Sequence, residues 1–233
     1  MIQNFIISRF NLRMSKTRSL PKQKWIDYRM DVFKKYCYPS VMNQTFQDFE
    51  WFIIVDHTTD KNLFKDYPEI IPVYQADYEP FAGPRYITEE IKKRVKNDTE
   101  WIITTRLDND DALRDDFMEQ IQKSFTKEEY VMYFRTGIFL NTSDGRQKLF
   151  RFPFTPGSFI SCIEPWTGEM LKTSYYCAHN ELKKYFKVKA IENIDPMWVQ
   201  TLHSMNLSTQ FDGSFTYSAK DVNINLNRFN MNI

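Results

Sequence analysis

Three carboxylates crowd the end of one apolar run. In Glu100–Leu113 (E-W-I-I-T-T-R-L-D-N-D-D-A-L), the β-prone stretch from Trp101 to Thr105 passes through Arg106 into Asp108, Asp110 and Asp111. Clustered acids at the end of a buried strand are a costly local choice, because like charges repel and unpaired buried charge is penalised. The cost is lifted if the cluster lies at the carboxyl end of a parallel strand and holds a divalent cation. Hard ions such as Mg²⁺ and Mn²⁺ take oxygen ligands, and Mg²⁺ is commonly held by one or two carboxylates plus substrate phosphates. The spacing therefore predicts a metal–diphosphate site, with an acidic surface turn as the plain alternative. The preceding strand favours the site, since ligands of open α/β sheets bind at strand carboxyl ends.

Such a cluster needs a sheet to carry it, and the first 113 residues supply the pattern of one. Ile2–Phe10 reads as a strand, followed by a polar loop from Asn11 to Lys22. Trp25, Tyr28, Val32, Phe33 and Tyr36 fall on one face of a helix that meets no breaker until Pro39. Phe49–Val55 is a continuous apolar run, as expected of a strand buried on both faces, and it ends in Asp56-His57-Thr58-Thr59-Asp60. Ile70–Tyr74 is a third strand ending near Asp77, and Gly83-Pro84 opens a helix carrying Ile87, Ile91 and Val95, with Arg85 in its first turn. Strand and helix thus alternate with connections short enough for right-handed crossovers. The resulting Rossmann-like half-sheet would gather Asn11, Asp56, Asp77 and the acidic triplet on its carboxyl edge.

Beyond residue 113 the pattern changes. Phe117, Ile121 and Phe125 mark a short helix; Tyr130–Leu140 and Lys148–Phe154, joined by Asn141-Thr142-Ser143-Asp144-Gly145, read as a hairpin. Phe159–Ile163 adds a short strand before Glu164-Pro165. Helical patches are expected at Glu181–Phe186 and at Pro196–Met205, the latter with Asp195 as N-cap and Pro196 at the first helical position. The Asn-rich tail from Gln210 to Ile233 reads as strand and loop. At 233 residues the chain is most simply one domain, 1–233, with a nucleotide-binding half (1–113), an acceptor-side half (114–210) and a tail (211–233).

Bulk composition narrows the class. A net charge of +1 argues against a nucleic-acid partner. Aromatic residues make up 16% of the chain, enough for a firm core and for stacking platforms. Cys37, Cys162 and Cys177 form no C-x-x-C pair, which suits a reducing compartment. No apolar run reaches the roughly 20 residues of a membrane span, and no signal-peptide core precedes the first strand. The expectation is a soluble, cytoplasmic protein, with peripheral membrane contact left open for a lipid-linked acceptor.

Five motifs carry a family resemblance. Asp56-His57-Thr58-Thr59-Asp60 is similar to the D-G-S-T-D that ends the second strand of family-two glycosyltransferases with the GT-A fold, and Asp108-Asn109-Asp110-Asp111 resembles their D-x-D-D motif. The S-R-F-N start, P-S-V-M-N-Q-T-F-Q-D-F-E-W, and P-M-W-V-Q-T-L-H-S-M-N resemble the bacterial putative rhamnosyltransferase group within that fold, from about Ser8 to Asn206. His57 stands where the broader family has Gly, and Val55 where it has the first Asp of a D-D pair. The resemblance implies an α/β GT-A (Rossmann-like) mixed sheet flanked by helices, with a C-terminal acceptor-side hairpin and helices. It implies a glycosyltransferase, dependent on Mn²⁺ or Mg²⁺, moving a sugar from a nucleoside-diphosphate donor to a glycan or lipid-linked glycan hydroxyl, as in polysaccharide biosynthesis; inversion is expected by analogy.

By the same resemblance Asp108 and Asp110 would contact the metal, with His203 as a third ligand or a phosphate contact and His179 as its weaker rival; a satisfied core histidine is the other reading. Asp111 would touch metal or sugar hydroxyls, or cap a helix. Asp56 would accept a hydrogen bond from the base, or simply close an Asx turn. Phe10 and Asn11 would lie along base or ribose, or serve as core and turn. Arg85 and Arg106 would bind phosphate, with charge balance among the acids the alternative for Arg106. Asp195 is the expected base for the acceptor hydroxyl, against a role as N-cap only, and Glu164 is the alternate. Two rivals remain: a nucleotidyltransferase, disfavoured because Asn11–Gln23 contains no glycine for a phosphate loop, and a non-catalytic nucleotide- or sugar-binding module.

Overall fold

Successive residues of the first strand, β1 (Ile2–Arg9), enter two different cores, and this sets the architecture. Ile6 joins one apolar cluster with Ile53, Ile103 and the helical residues Ile26, Met30 and Phe33, whereas Phe5 and Ile7 join another with Phe52, Ile54, Ile87 and Ile91. A strand covered on both faces has no solvent side, which is why the middle of β1, Phe5–Ile7, is apolar on both faces. The computed structural model describes residues 1–12, 22–76, 83–151, 158–177, 179–203 and 220–232. Asp77, Asn206 and the parts of the expected loop, strand and tail at 13–21, 152–157 and 204–219 lie outside the described residues.

A seven-stranded sheet has the order β10-β6-β9-β4-β1-β2-β3. Here β2 is Glu50–Asp56, β3 Ile70–Gln75, β4 Trp101–Arg106, β6 Tyr130–Phe134, β9 Ile160–Pro165 and β10 Val188–Ile191. β3, β2, β1 and β4 are parallel, while β9 runs antiparallel between β4 and β6. A second, five-stranded sheet has the order β12-β8-β7-β11-β5, from β5 (Ala112–Leu113), β7 (Thr136–Asn141), β8 (Gln147–Arg151), β11 (Trp198–Leu202) and β12 (Lys220–Val222). The α-helices among the described residues are α1 (Lys22–Val32), α2 (Tyr38–Met42), α3 (Gly83–Lys92) and α4 (Phe117–Lys123). The expected α/β class, a mixed sheet flanked by helices with a C-terminal hairpin (β7–β8), is the fold observed. No helix among the described residues is long and apolar enough to cross a membrane.

Three local expectations are corrected. The helix does not stop before Pro39: a π-helical turn, Phe33–Cys37, joins α1 to α2, and Pro39 occupies the first turn of α2, where its missing N–H costs little. The single strand expected over Tyr130–Leu140 breaks at Arg135, so that β6 pairs in the large sheet and β7 in the small one. Most consequentially, Pro196–Met205 is not helical through its described part. Trp198–Leu202 is β11, parallel to β7 and antiparallel to β5. The Asp195-Pro196 start signal is local, but a run of Trp, Val, Thr and Leu beside an open strand edge is better satisfied by sheet pairing.

Candidate functional site

The strand order reverses at β1. Strands β2 and β3 are laid down on one side of it and β4 on the other, so the carboxyl ends of β1 and β4 flank a topological switch point. The parallel register pairs Ile7 with Arg106, and Leu107 N–H donates to the Ile7 carbonyl, which brings Arg9 level with Asp108. On the other side of β1, Asn11 stands level with Asp56. Asn11 Oδ1 accepts the Asp56 N–H at 2.9 Å and Asn11 Nδ2 donates to Thr59 Oγ1 at 2.8 Å.

The acidic residues divide by environment. Asp108 is the open one, its side chain 27% exposed, and its contacts are loose: Arg9 Nη2 at 3.5 Å, Arg106 Nη2 at 3.6 Å and the Tyr175 hydroxyl at 3.4 Å. Asp110 is tightly held. Its Oδ2 accepts Arg29 Nη1 at 2.8 Å and His203 Nε2 at 3.0 Å. Despite the opposing effect of burial, Arg29 and then His203 hold this carboxyl well below the ordinary carboxylate range. An ionised carboxylate only accepts, so Nε2 of His203 carries the proton. Asp111 goes the other way: burial first, then Asp110 and Asp108, push its carboxyl far up. Its Oδ1 accepts the Thr201 N–H at 2.9 Å while Thr201 Oγ1 donates to the Asp110 carbonyl at 2.6 Å. Asp111 therefore ties β11 to the cluster and caps no helix. Between them Asn109 is fully buried, and neither of its amide atoms finds a partner among the described residues.

The other expected residues are distributed unevenly. His203 is brought to Asp110, but as a hydrogen-bond donor. Among the described residues no group of three or more His, Cys, Asp or Glu side chains could hold an ion, so the set Asp108–Asp110–His203 does not assemble as three ligands. The side chain of His179 lies outside the described ones. Asp56 closes an Asx turn, accepting from both the N–H and the hydroxyl of Thr58. Phe10 is buried in the core, edge-on to Phe33 and Phe64. Arg85 is exposed in the first turn of α3. Arg106 is buried beside Asp108, with no described partner for its Nε.

Neither expected base is at the cluster. Asp195 lies before β11, its side chain 80% exposed and 3.9 Å from Arg114, whereas His203 follows the other end of that strand. Glu164 pairs across from Ile102, four residues before the end of β4 at Arg106 and so roughly 13 Å from it at the rise of a strand. Its buried carboxylate accepts the N–H groups of Lys172 (2.7 Å) and Thr173 (2.9 Å), the latter in the left-handed region at φ 63°. Glu164 is thus a positioning residue for the turn that delivers Tyr175.

Burial raises the Glu164 pKa, against the lowering effect of those two backbone donors. A carboxyl whose folded pKa lies above its unfolded value contributes stability below the unfolded pKa, near 4.3 for Glu, and loses it as pH rises through the folded value. Glu164→Gln forfeits one acceptor, worth about 1 kcal/mol, at every pH. Its melting-temperature deficit against wild type should therefore be largest near pH 4 and shrink toward pH 7. A deficit that grows with pH would mean that Glu164 is stabilised as the ionised form.

Sequence reasoning missed Arg9, Arg29 and Tyr175. Arg29 had a signal: it lies four residues after Trp25 and three before Val32, within the apolar stripe of the helix, where an arginine needs a buried partner. Arg9 lay inside the S-R-F-N motif, whose other members Phe10 and Asn11 were singled out instead; Tyr175 had no signal, because a tyrosine in T-S-Y-Y-C is unremarkable until β4 and β9 are aligned.

The donor set can be tested against a divalent cation. Asp110 Oδ1 accepts no hydrogen bond from a described residue, its carboxyl is held ionised, and the Asp108 contacts are all longer than ordinary hydrogen bonds. Two carboxylates with oxygens to spare fit a hard cation whose remaining positions are filled by phosphate and water.

A family model described as putative rhamnosyl transferase matches residues 9–214. No curated protein sequence matches the chain. Solved structures with a similar chain course include the inositol-1-phosphate CTP transferase from T. maritima, at 11% identity and TM-score 0.42 over 85% of this chain and 89% of that one. S. aureus TarS shares 11% identity at TM-score 0.46 over 86% of this chain; only 37% of TarS is spanned. A putative nucleotide-diphospho-sugar transferase from Desulfovibrio desulfuricans shares 8% identity at TM-score 0.41, over 82% and 80%. Likenesses this distant say nothing of substrate.

Proposed function

We propose that this chain, which belongs to the putative rhamnosyl transferase family, transfers a sugar, rhamnose by the family's description, from a nucleoside-diphosphate donor to a hydroxyl of a glycan or lipid-linked glycan. The observation that carries this reading is the place of the acidic cluster. Asp108 and Asp110 stand at the carboxyl end of β4, beside β1, at the strand-order reversal where α/β sheets bind their ligands.

Asp108 and Asp110 would hold a Mn²⁺ or Mg²⁺ ion, which supplies charge neutralisation for the departing diphosphate. The chain's own residues do the rest. Arg106, at the end of β4, faces the same leaving group with a planar fork suited to phosphate. Arg29 and His203 fix the Asp110 carboxylate in one orientation and keep it ionised. Asp56 and Asn11, interlocked at the ends of β2 and β1, form the wall on the base side. The Asx turn at Asp56 sets the course of that wall, and Asp111 anchors β11 against the site.

Thermal-shift measurements with UDP, GDP and dTDP, each with Mn²⁺ and with EDTA, test the reading. Ligand linkage raises the melting temperature measurably once ligand exceeds its dissociation constant about a hundredfold, some 2.7 kcal/mol. One nucleotide should stabilise the protein more with Mn²⁺ than without. Indifference to all three under every condition would overturn the donor assignment.

A further inference from the structure

Two guanidiniums share one carboxylate at the switch point. Arg29 is committed to Asp110 at hydrogen-bond distance. Arg9 and Arg106 are not so committed: each stands 3.5–3.6 Å from an oxygen of Asp108, beyond the usual N–H···O range. One positive charge is therefore left over between them. The Nε of Arg106 is buried and donates to no described residue.

Both guanidiniums rest on the same ring. The Tyr175 centroid lies 5.0 Å from the Arg9 guanidinium carbon and 4.7 Å from that of Arg106. Contact with the face of a ring orients a planar guanidinium without consuming its N–H donors, something an ammonium on a flexible stem does less well. The ring itself is fixed from three sides through the backbone leading to it. Leu171 N–H donates to Thr88 Oγ1 of α3, Lys172 and Thr173 N–H to Glu164 of β9, and Ser174 N–H to Thr104 Oγ1 of β4. These bonds fix a turn buried at Leu171 and Thr173–Tyr175, and they hold the two cations side by side at the carboxyl ends of β1 and β4.

We propose that Arg9 and Arg106, mounted on Tyr175, form an anion site that grips the diphosphate of the donor without help from a metal. That the anion is a donor's diphosphate rests on the function proposed above; the site itself rests on the two shared cations and their platform. Two adjacent forks match the two phosphoryl groups of a diphosphate, each taking a bidentate pair of hydrogen bonds. Binding of the diphosphate and binding of the cation are then separable contributions to donor affinity.

Isothermal titration of the full chain with inorganic pyrophosphate, and with UDP, GDP and dTDP, in EDTA and in Mn²⁺, tests this. Wild type should bind pyrophosphate in EDTA, and Arg9→Gln and Arg106→Gln should each weaken that binding by about tenfold or more, the loss of a charge-assisted bidentate contact. Tyr175→Leu should do the same, whereas Tyr175→Phe, which keeps the ring, should stay within about threefold. Arg9 is more than a third exposed, so its variant keeps the test open if Arg106→Gln fails to fold. Pyrophosphate binding that needs Mn²⁺, or that is unchanged in Arg9→Gln and Arg106→Gln, overturns the anion site and leaves the donor reading standing. Arginine-dependent pyrophosphate binding with no nucleoside diphosphate bound under any condition upholds the anion site and overturns the donor reading.

Discussion

Asp110→Asn is expected to lower transfer activity by about a hundredfold or more, the usual loss when charge stabilisation of a leaving group is removed, and to abolish the extra stabilisation that Mn²⁺ gives to bound nucleotide. It should also destabilise the fold. The Asp110 carboxylate is the acceptor for both Arg29, whose side chain is 11% exposed, and His203. Both donors share one oxygen, Oδ2, so an asparagine oxygen in that position still accepts them, but the side chain is neutral and the Arg29 charge loses its counter-ion. Breaking one side of a buried pair costs about 3 kcal/mol or more, which in a chain of this length is a melting-temperature drop of roughly 6–12 °C. The two effects can be separated. Arg29→Gln in the Asp110→Asn background removes the stranded charge, so stability should partly recover while activity and cation response do not. Recovery of both would show that Asp110 acts only through the fold.

The second large effect is expected far from any carboxylate. A Cβ built on Gly137 lies 2.0–2.3 Å from three ring atoms of Trp198, well inside contact distance. The ring cannot retreat. It is fully buried, stacks on Phe159 at 4.7 Å, and donates its Nε1–H to the Phe134 carbonyl at 3.0 Å. Gly137→Ala should therefore cost about 3 kcal/mol, the upper range for overpacking a core, again roughly 6–12 °C in melting temperature. The consequence reaches the site, because β11 begins at Trp198 and delivers Thr201 to Asp111 and His203 to Asp110. A displaced Trp198 should show as a red-shifted tryptophan emission together with weaker cation-dependent nucleotide binding. A Gly137→Ala protein that melts with wild type would mean that Trp198 is not seated on β7.

Local sequence determined the elements that carry chemistry by pattern alone. The runs Ile2–Phe10, Phe49–Val55, Ile70–Tyr74 and Trp101–Thr105 carry apolar residues on both faces because helices cover both faces of the sheet, and each becomes a strand of that sheet. The acids after Thr105 could be placed at a strand's carboxyl end because strand and turn adjoin in the chain. What surrounds those acids could not be read in this way. Arg29, Tyr175 and His203 reach Asp110 or Asp108 across 81, 67 and 93 residues, and only the alignment of β1, β4, β9 and β11 decides that they meet. The same distinction explains the corrections. Asp195-Pro196 is a sound helix start judged by its neighbours, yet Trp198–Leu202 pairs with β7 and β5 because long-range sheet hydrogen bonds and burial outweigh a local capping preference. Glu164, the alternate candidate for the base, grips a backbone turn instead, since β9 runs antiparallel to β4 and carries it toward the opposite end of the sheet. Residue type and spacing singled out the acidic cluster; strand direction and register decided which charged groups stand beside it.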